Sequence, residues 1–159
     1  MTDYTLDPAT TQLRFHARGL WGAVPVTGSF GRAEGNLSLR DAAVGTIDIR
    51  IDAASIDTGL ALRDRHLRAA NFLHVERHPV ITFRGDVSTT ADGFCLNGSL
   101  TVRGHEVPHV LEVTTFGNTP DIAGALETTI DLNAFEFAPP FNMTKRDVRL
   151  ELRGTFRKS

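Results

Sequence analysis

The feature that most constrains this 159-residue chain is a period-two alternation of apolar and polar side chains, sustained over long stretches and repeated many times. In TQLRFHAR, Leu13, Phe15 and Ala17 face one way while Gln12, Arg14, His16 and Arg18 face the other. In GTIDIRIDA, Ile47, Ile49, Ile51 and Ala53 alternate with Thr46, Asp48, Arg50 and Asp52. The same rhythm marks Ile81 and Phe83, Leu100 and Val102, Leu111 and Val113, and Val148, Leu150 and Leu152. A helix would scatter such residues around its circumference, whereas a strand sorts them onto two faces, one buried and one wet.

Short turn signals separate the alternating runs: Gly35-Asn36, Ala91-Asp92-Gly93, Arg103-Gly104, Gly117-Asn118 and Ala138-Pro139-Pro140. Roughly eight strands linked in hairpin fashion make an antiparallel sheet. Strands of about eight residues exceed the usual five or six and favour a barrel, although pattern alone also fits a sandwich. The expectation is an all-β, eight-stranded antiparallel barrel forming one domain over residues 1–159, large enough to need no staple. A net charge of −2 argues against nucleic acid as a partner. Cys95 is the only cysteine, so no internal disulfide forms. No run approaches the ~18 apolar residues of a membrane span, and the N-terminus lacks a signal-peptide pattern, which gives cytoplasm as the expected location.

One segment breaks the rhythm. LRDRHLRAANFLHVERHP, from Leu62 to Pro79, holds three histidines and four arginines. On a helical wheel Leu62, Ala69 and Leu73 fall together with His66 alongside, and Asp64, Arg65, Arg68 and Asn71 lie opposite. That predicts a short amphipathic helix, with Asp64 and Arg68 paired at i,i+4 and with Asp57 or Thr58 as its cap. Pro79 forces His78 into extended geometry and returns the chain to a strand at Val80.

The polar clusters are weak as chemistry. His74 and His78 are four apart, but Pro79 interrupts any continuous helix and no Glu follows His74 as in a metalloprotease. Ser55, Asp57 and His66 match a catalytic triad in type only, because Ser55 lacks a nucleophile-elbow sequence. His105 and His109 share one strand face and read as surface residues. No metal, cofactor or catalytic residue is therefore assigned. An apolar cavity is the remaining candidate, with Phe15, Ala17, Val26, Phe30, Ile49, Ile51, Phe83, Leu100, Val102, Leu111 and Val113 facing inward. Periodicity fits a filled barrel equally well. Trp21, in the bend GLWG, and Phe141, with Met143 in PPFNM, would shape or plug its mouth.

The run IDAASIDTGLALRDRHLRAANFLHVERHPVITFRG, with VTGSFGRAEGNL upstream and GSLTVRGHEVPHVLEV downstream, closely resembles the signature regions of the YceI-like family. The resemblance extends from about Tyr4 to Phe156 and implies a lipocalin-like barrel that holds a polyisoprenoid or a fatty-acyl type of chain without catalysis. It places Arg63, Asp64, His66, Leu67, Arg68 and Phe72 on a helix near the barrel mouth, where Arg63, His66, Arg68 and Phe72 would meet the ligand. It also implies a homodimer. Asn71 and His74 stand where two acids are usual, Ala69 replaces a serine, and Leu132 and Glu136 occupy positions where Arg and Gly are common. Burying ~20 methylene-sized units yields roughly 16 kcal/mol gross, so the tail alone can supply affinity once ordering costs are met, leaving Arg63, Arg65 or Arg68 to select an anionic head. Two other readings fit the same residues: an enzyme using the pocket, and a filled barrel serving as a stress-response or interaction module.

Overall fold

A computed structural model describes residues 1–21, 24–41, 43–116, 120–135 and 147–159, with the side chains of 18–21 and 24 left aside. Eight antiparallel strands close into a ring: β1 (Thr2–Leu6), β4 (Ala33–Arg40), β5 (Val44–Asp52), β7 (Val80–Thr89), β8 (Gly93–Val102), β9 (His105–Phe116), β10 (Ile122–Asp131) and β11 (Asp147–Lys158), the last pairing back to β1. Alternation does what the sequence requires of it. In β4, Ala33, Gly35, Leu37 and Leu39 are buried while the residues between them reach toward water.

β11 is long enough to serve two neighbours. Its last residues pair with β1, whereas Val148–Arg153 pair with β2 (Gln12–Trp21). β2 continues into β3 (Val24–Phe30), and β3 pairs with the two-residue β6 (Ile56–Asp57). At that end the wall therefore runs through β2, β3 and β6. The crossing from β1 to β2 is tied by Asp7, whose carboxylate accepts from Ala9 N at 2.9 Å and from Arg157 Nε at 2.7 Å. Those two contacts hold its pKa below the usual carboxylate value, the Ala9 amide contributing most.

Two close approaches decide residue choice. A Cβ on Gly28 would lie 2.5 Å from the Phe15 ring and 2.8 Å from the Asp57 carbonyl oxygen, so only glycine lets Phe15 lie against β3 where β6 joins it. The β8–β9 hairpin turns at Arg103 and Gly104, with φ of 52° and 76°. That is the left-handed pair that matches strand twist in a two-residue hairpin.

Three expectations are corrected. Gly35-Asn36 is no turn: Gly35 pairs with Ile49 and Asn36 with Asp48 inside β4. A Cβ on Gly35 would stand only 3.3 Å from Leu6 Cβ, so its small size serves packing between strands. Leu20 and Trp21, expected in a bend, belong to β2, which Trp21 ends with a register shift against β3 between Arg18 and Trp21; Gly22 lies outside the described residues. The third concerns the helix. It spans only Ala61–Arg68 (α1), buries Asp64 and Leu67, and leaves Leu62 63% exposed and His66 exposed. The wheel failed because Ala69 is already extended, so Leu73 returns through turns and not along the same helix face. The helix begins at Leu60 without a side-chain cap. Turns expected at Gly117-Asn118 and Ala138-Pro139-Pro140, together with Glu136, Phe141 and Met143, lie outside the described residues. None of the described helices is long and apolar enough to cross a membrane.

Candidate apolar ligand site

The inner wall encloses two apolar cavities. One, of about 100 Å³, lies beneath α1 and is lined only by apolar side chains, among them Phe15, Phe30, Ile51, Leu100, Val102 and Leu150. The other, of about 50 Å³, lies toward the far end, among Leu6, Ile49, Leu96, Val113, Leu152 and Phe156. The two sets share strands and differ in level: Ile51 and Ile49 on β5, Leu100 and Leu96 on β8, Leu150 and Leu152 on β11.

Phe83 belongs to neither lining. It is 3% exposed and pairs with Ile49 of the far cavity on one side and with Leu100 of the helix-end cavity on the other. Its position on β7 thus falls between the strand levels of the two spaces.

The cover over the helix-end cavity is made by Leu67, Phe72 and Leu73. It is fastened by polar contacts that sequence reasoning assigned differently. Asp64, 7% exposed, accepts from Thr58 N at 2.8 Å and from the Thr58 hydroxyl. That hydroxyl in turn accepts from Arg63 Nε at 2.8 Å, and Arg63 also donates to the Thr58 carbonyl. Arg68 donates to the carbonyls of Ala54 at 2.9 Å and Ile56 at 2.8 Å. These bonds pin α1 to the strand segment before it. They satisfy a buried carboxylate, which would be costly to leave unpaired, and the three backbone carbonyls of Thr58, Ala54 and Ile56. The i,i+4 pair expected between Asp64 and Arg68 is absent because both side chains turn inward to this segment.

Beyond the cover, His74 and His78 meet edge to face, ring centroids 5.8 Å apart. Partial burial, and then the positive groups of His74, Arg77, Arg103 and His105, hold the His78 pKa below the ordinary imidazole value. Ser55 and Asp57 are occupied with local geometry: Ser55 Oγ donates to the Asp52 carbonyl, and Asp57 accepts from Gly59 N.

Of the residues singled out in the sequence, Phe15, Ala17, Phe30, Ile51, Phe72, Leu100 and Val102 line the helix-end cavity, and Ile49 and Val113 the far one. Val26, Phe83 and Leu111 are buried but line neither. Arg63 and Arg68 point to Thr58, Ala54 and Ile56, and His66 is exposed. The side chain of Trp21 and all of Phe141 lie outside the described set. Leu67, Leu73 and Leu132 were named in the sequence but not assigned to the ligand, and Ile130 and Phe156 were not assigned either. The first two needed the true helix end, and Ile130 was legible from the alternation in its own strand.

A YceI-like domain model matches residues 4–156. The chain belongs to the YceI-like family. A UPF0312 protein of Pectobacterium atrosepticum is 31% identical over 132 residues, covering 77% of this chain and 69% of that protein. A UPF0312 protein of Yersinia pestis is 32% identical over 120 residues, covering 74% and 62%. This YceI-like chain therefore spans about two thirds or less of the length of these curated relatives. Among solved structures, Burkholderia cenocepacia BcnA superposes with a TM-score of 0.81 over 94% of this chain and 98% of its own, at 19% identity. A polyisoprenoid binding domain from Saccharophagus degradans gives 0.73 over 98% of both chains, at 16% identity. At such identities the likeness is one of fold.

Proposed function

We propose that the protein binds a long apolar chain, a polyisoprenoid or related lipid, inside its barrel and holds it without catalysis for carriage or sequestration. The observation that carries this reading is the cavity beneath α1, lined by apolar side chains alone and covered by Leu67, Phe72 and Leu73. Such a lining offers a polar substrate nothing to pair with, and a buried polar group without a partner is costly. Membership of the YceI-like family and the polyisoprenoid binding named for the Saccharophagus degradans domain support the same ligand class.

Size sets a condition. A dry cavity of about 150 Å³ admits benzene, and the helix-end cavity is about 100 Å³. A long chain enters only if interior side chains move, and Phe83, between the two cavities, is the side chain whose rotation would join them. The test is fluorescence titration with cis-parinaric acid, a long polyene, followed by displacement with a polyprenol. Saturable binding with displacement is expected. An absence of binding by either probe would leave the filled-barrel reading in its place.

A further inference from the structure

β9 and β10 are long neighbours with a short ladder. They pair over four positions, from Phe116↔Ala123 to Val113↔Leu126. Both strands continue well past that point: β9 pairs with β8 at ten positions as far as His105, and β10 with β11 at ten as far as Asp131. The interruption therefore belongs to this junction and not to the ends of the strands.

The sequence accounts for it. Continuing the same register would set Glu127 opposite Glu112 and Asp131 opposite Pro108. Like charges directly opposite one another disfavour close pairing, and proline has no N–H to give to a ladder. What crosses the seam is a side-chain bond, His109 Nε2 to Thr128 Oγ1 at 2.7 Å, partly buried. His109 shares its strand face with buried Leu111, and Thr128 shares its own with buried Ile130, so both stand on the inner face.

Outside the same junction lies a groove of about 560 Å³ over β9, β10, β11 and β2, bordered by Glu112, Phe116 and Glu127. Ala125, Leu126 and Leu152 line this groove and also the far interior cavity. At that level a single layer of small or aliphatic side chains separates the outside of the barrel from the inside.

We propose that the β9–β10 seam is a lateral portal through which an apolar chain enters the barrel, held shut by the His109–Thr128 bond. The proposal rests on the reading that the barrel holds such a chain. The route over α1 is harder, because the cover is fastened by the hydrogen bonds of Asp64, Arg63 and Arg68, against one side-chain bond described across the seam. Parting β9 from β10 below Val113 breaks no ladder bond between them, and it opens the wall beside the helix-end cavity, which Ile130 of that stretch lines.

The test is to bridge the seam from outside. Glu112 and Glu127 are exposed, and Glu112→Cys with Glu127→Cys, in a Cys95→Ser background, can be joined by a short bis-thiol reagent. Asp86→Cys with Asn97→Cys, exposed partners in the intact β7–β8 ladder, is the control. Uptake of cis-parinaric acid is followed by stopped-flow fluorescence, with equilibrium binding measured after long incubation. Bridging the seam is expected to slow uptake at least about tenfold, as blocking a gating motion does, while equilibrium binding and the bridged control stay unchanged. Thr128→Val, which removes the closing bond without a covalent bridge, is expected to speed uptake. Unchanged uptake in the bridged seam variant, with equilibrium binding intact, overturns the portal; unchanged uptake in Thr128→Val overturns the role given to the bond. If unmodified protein binds no probe, it is the lipid-binding reading that fails, and the portal with it.

Discussion

Phe83 and Leu100 face each other across β7 and β8, yet only Leu100 lines a cavity. Phe83 stands on β7 between Ile81, which lines the helix-end cavity, and Val87, which lines the far one, and on the proposed reading its ring limits how much of the barrel one ligand can occupy. Phe83→Leu should join the spaces at a cost of about 1–2 kcal/mol, less than the ~3–5 kcal/mol of removing a whole ring to alanine. Urea denaturation measures the cost. Binding of a fatty-alcohol series should show preference moving to longer chains, and an unchanged preference would remove Phe83 as the partition.

The cover depends on buried polar contacts more than on its helix. Asp64→Ala leaves Thr58 N and its hydroxyl without their acceptor, a loss of about 1–3 kcal/mol for buried partners. Arg68→Met should act in the same direction by freeing the carbonyls of Ala54 and Ile56. Hydrogen exchange should rise in residues 54–75 and stay constant in β8. Uniform change across the barrel would mean that these contacts serve global stability only.

Gly28 is a packing requirement. Gly28→Ala would place a methyl group against Phe15 and the Asp57 carbonyl, and overpacking of this kind costs about 1–3 kcal/mol. Thermal unfolding should show the loss. Adding Phe15→Leu should recover part of it, because the ring is the nearest obstacle.

His78 gives folding stability a pH dependence. Its pKa is lowered by partial burial and by His74, Arg77, Arg103 and His105, so the folded chain binds the proton less readily than the unfolded one. As pH falls through about 6.5 the unfolded state takes up the proton first and stability drops, the loss being complete below the folded-state pKa. Melting temperature should fall between about pH 7 and about pH 5 in the native protein, and fall less in His78→Gln. Equal slopes would show that other groups carry the effect.

The barrel was legible because strand alternation is a local pattern that the closed sheet only has to obey: Leu13, Phe15 and Ala17 are buried as their spacing required. The return to a strand at Val80 was legible too, since Pro79 acts on its own neighbour. The inward positions of Phe15, Phe30, Leu100 and Val102 followed from the same rhythm. A short helix near the mouth was legible, but its extent and its fastening were not. The helix ends at Arg68 by turn formation, and Asp64 and Arg68 are satisfied by partners six to fourteen residues earlier, which no helical wheel contains. Nor was the seam legible, because Glu112 meets Glu127 only once the register of β9 against β10 is known. Gly35-Asn36 misled because its smallness serves contact with Leu6 and not a turn.

A barrel that holds a long apolar chain should still carry one after purification. Organic extraction of protein purified without detergent, with mass spectrometry of the extract, tests it most directly. The expected result is a polyisoprenoid or related long-chain lipid in stoichiometric amount, and its loss from a Leu100→Asp variant that still folds. A clean extract, with protein that takes up no polyprenol afterwards, would contradict it.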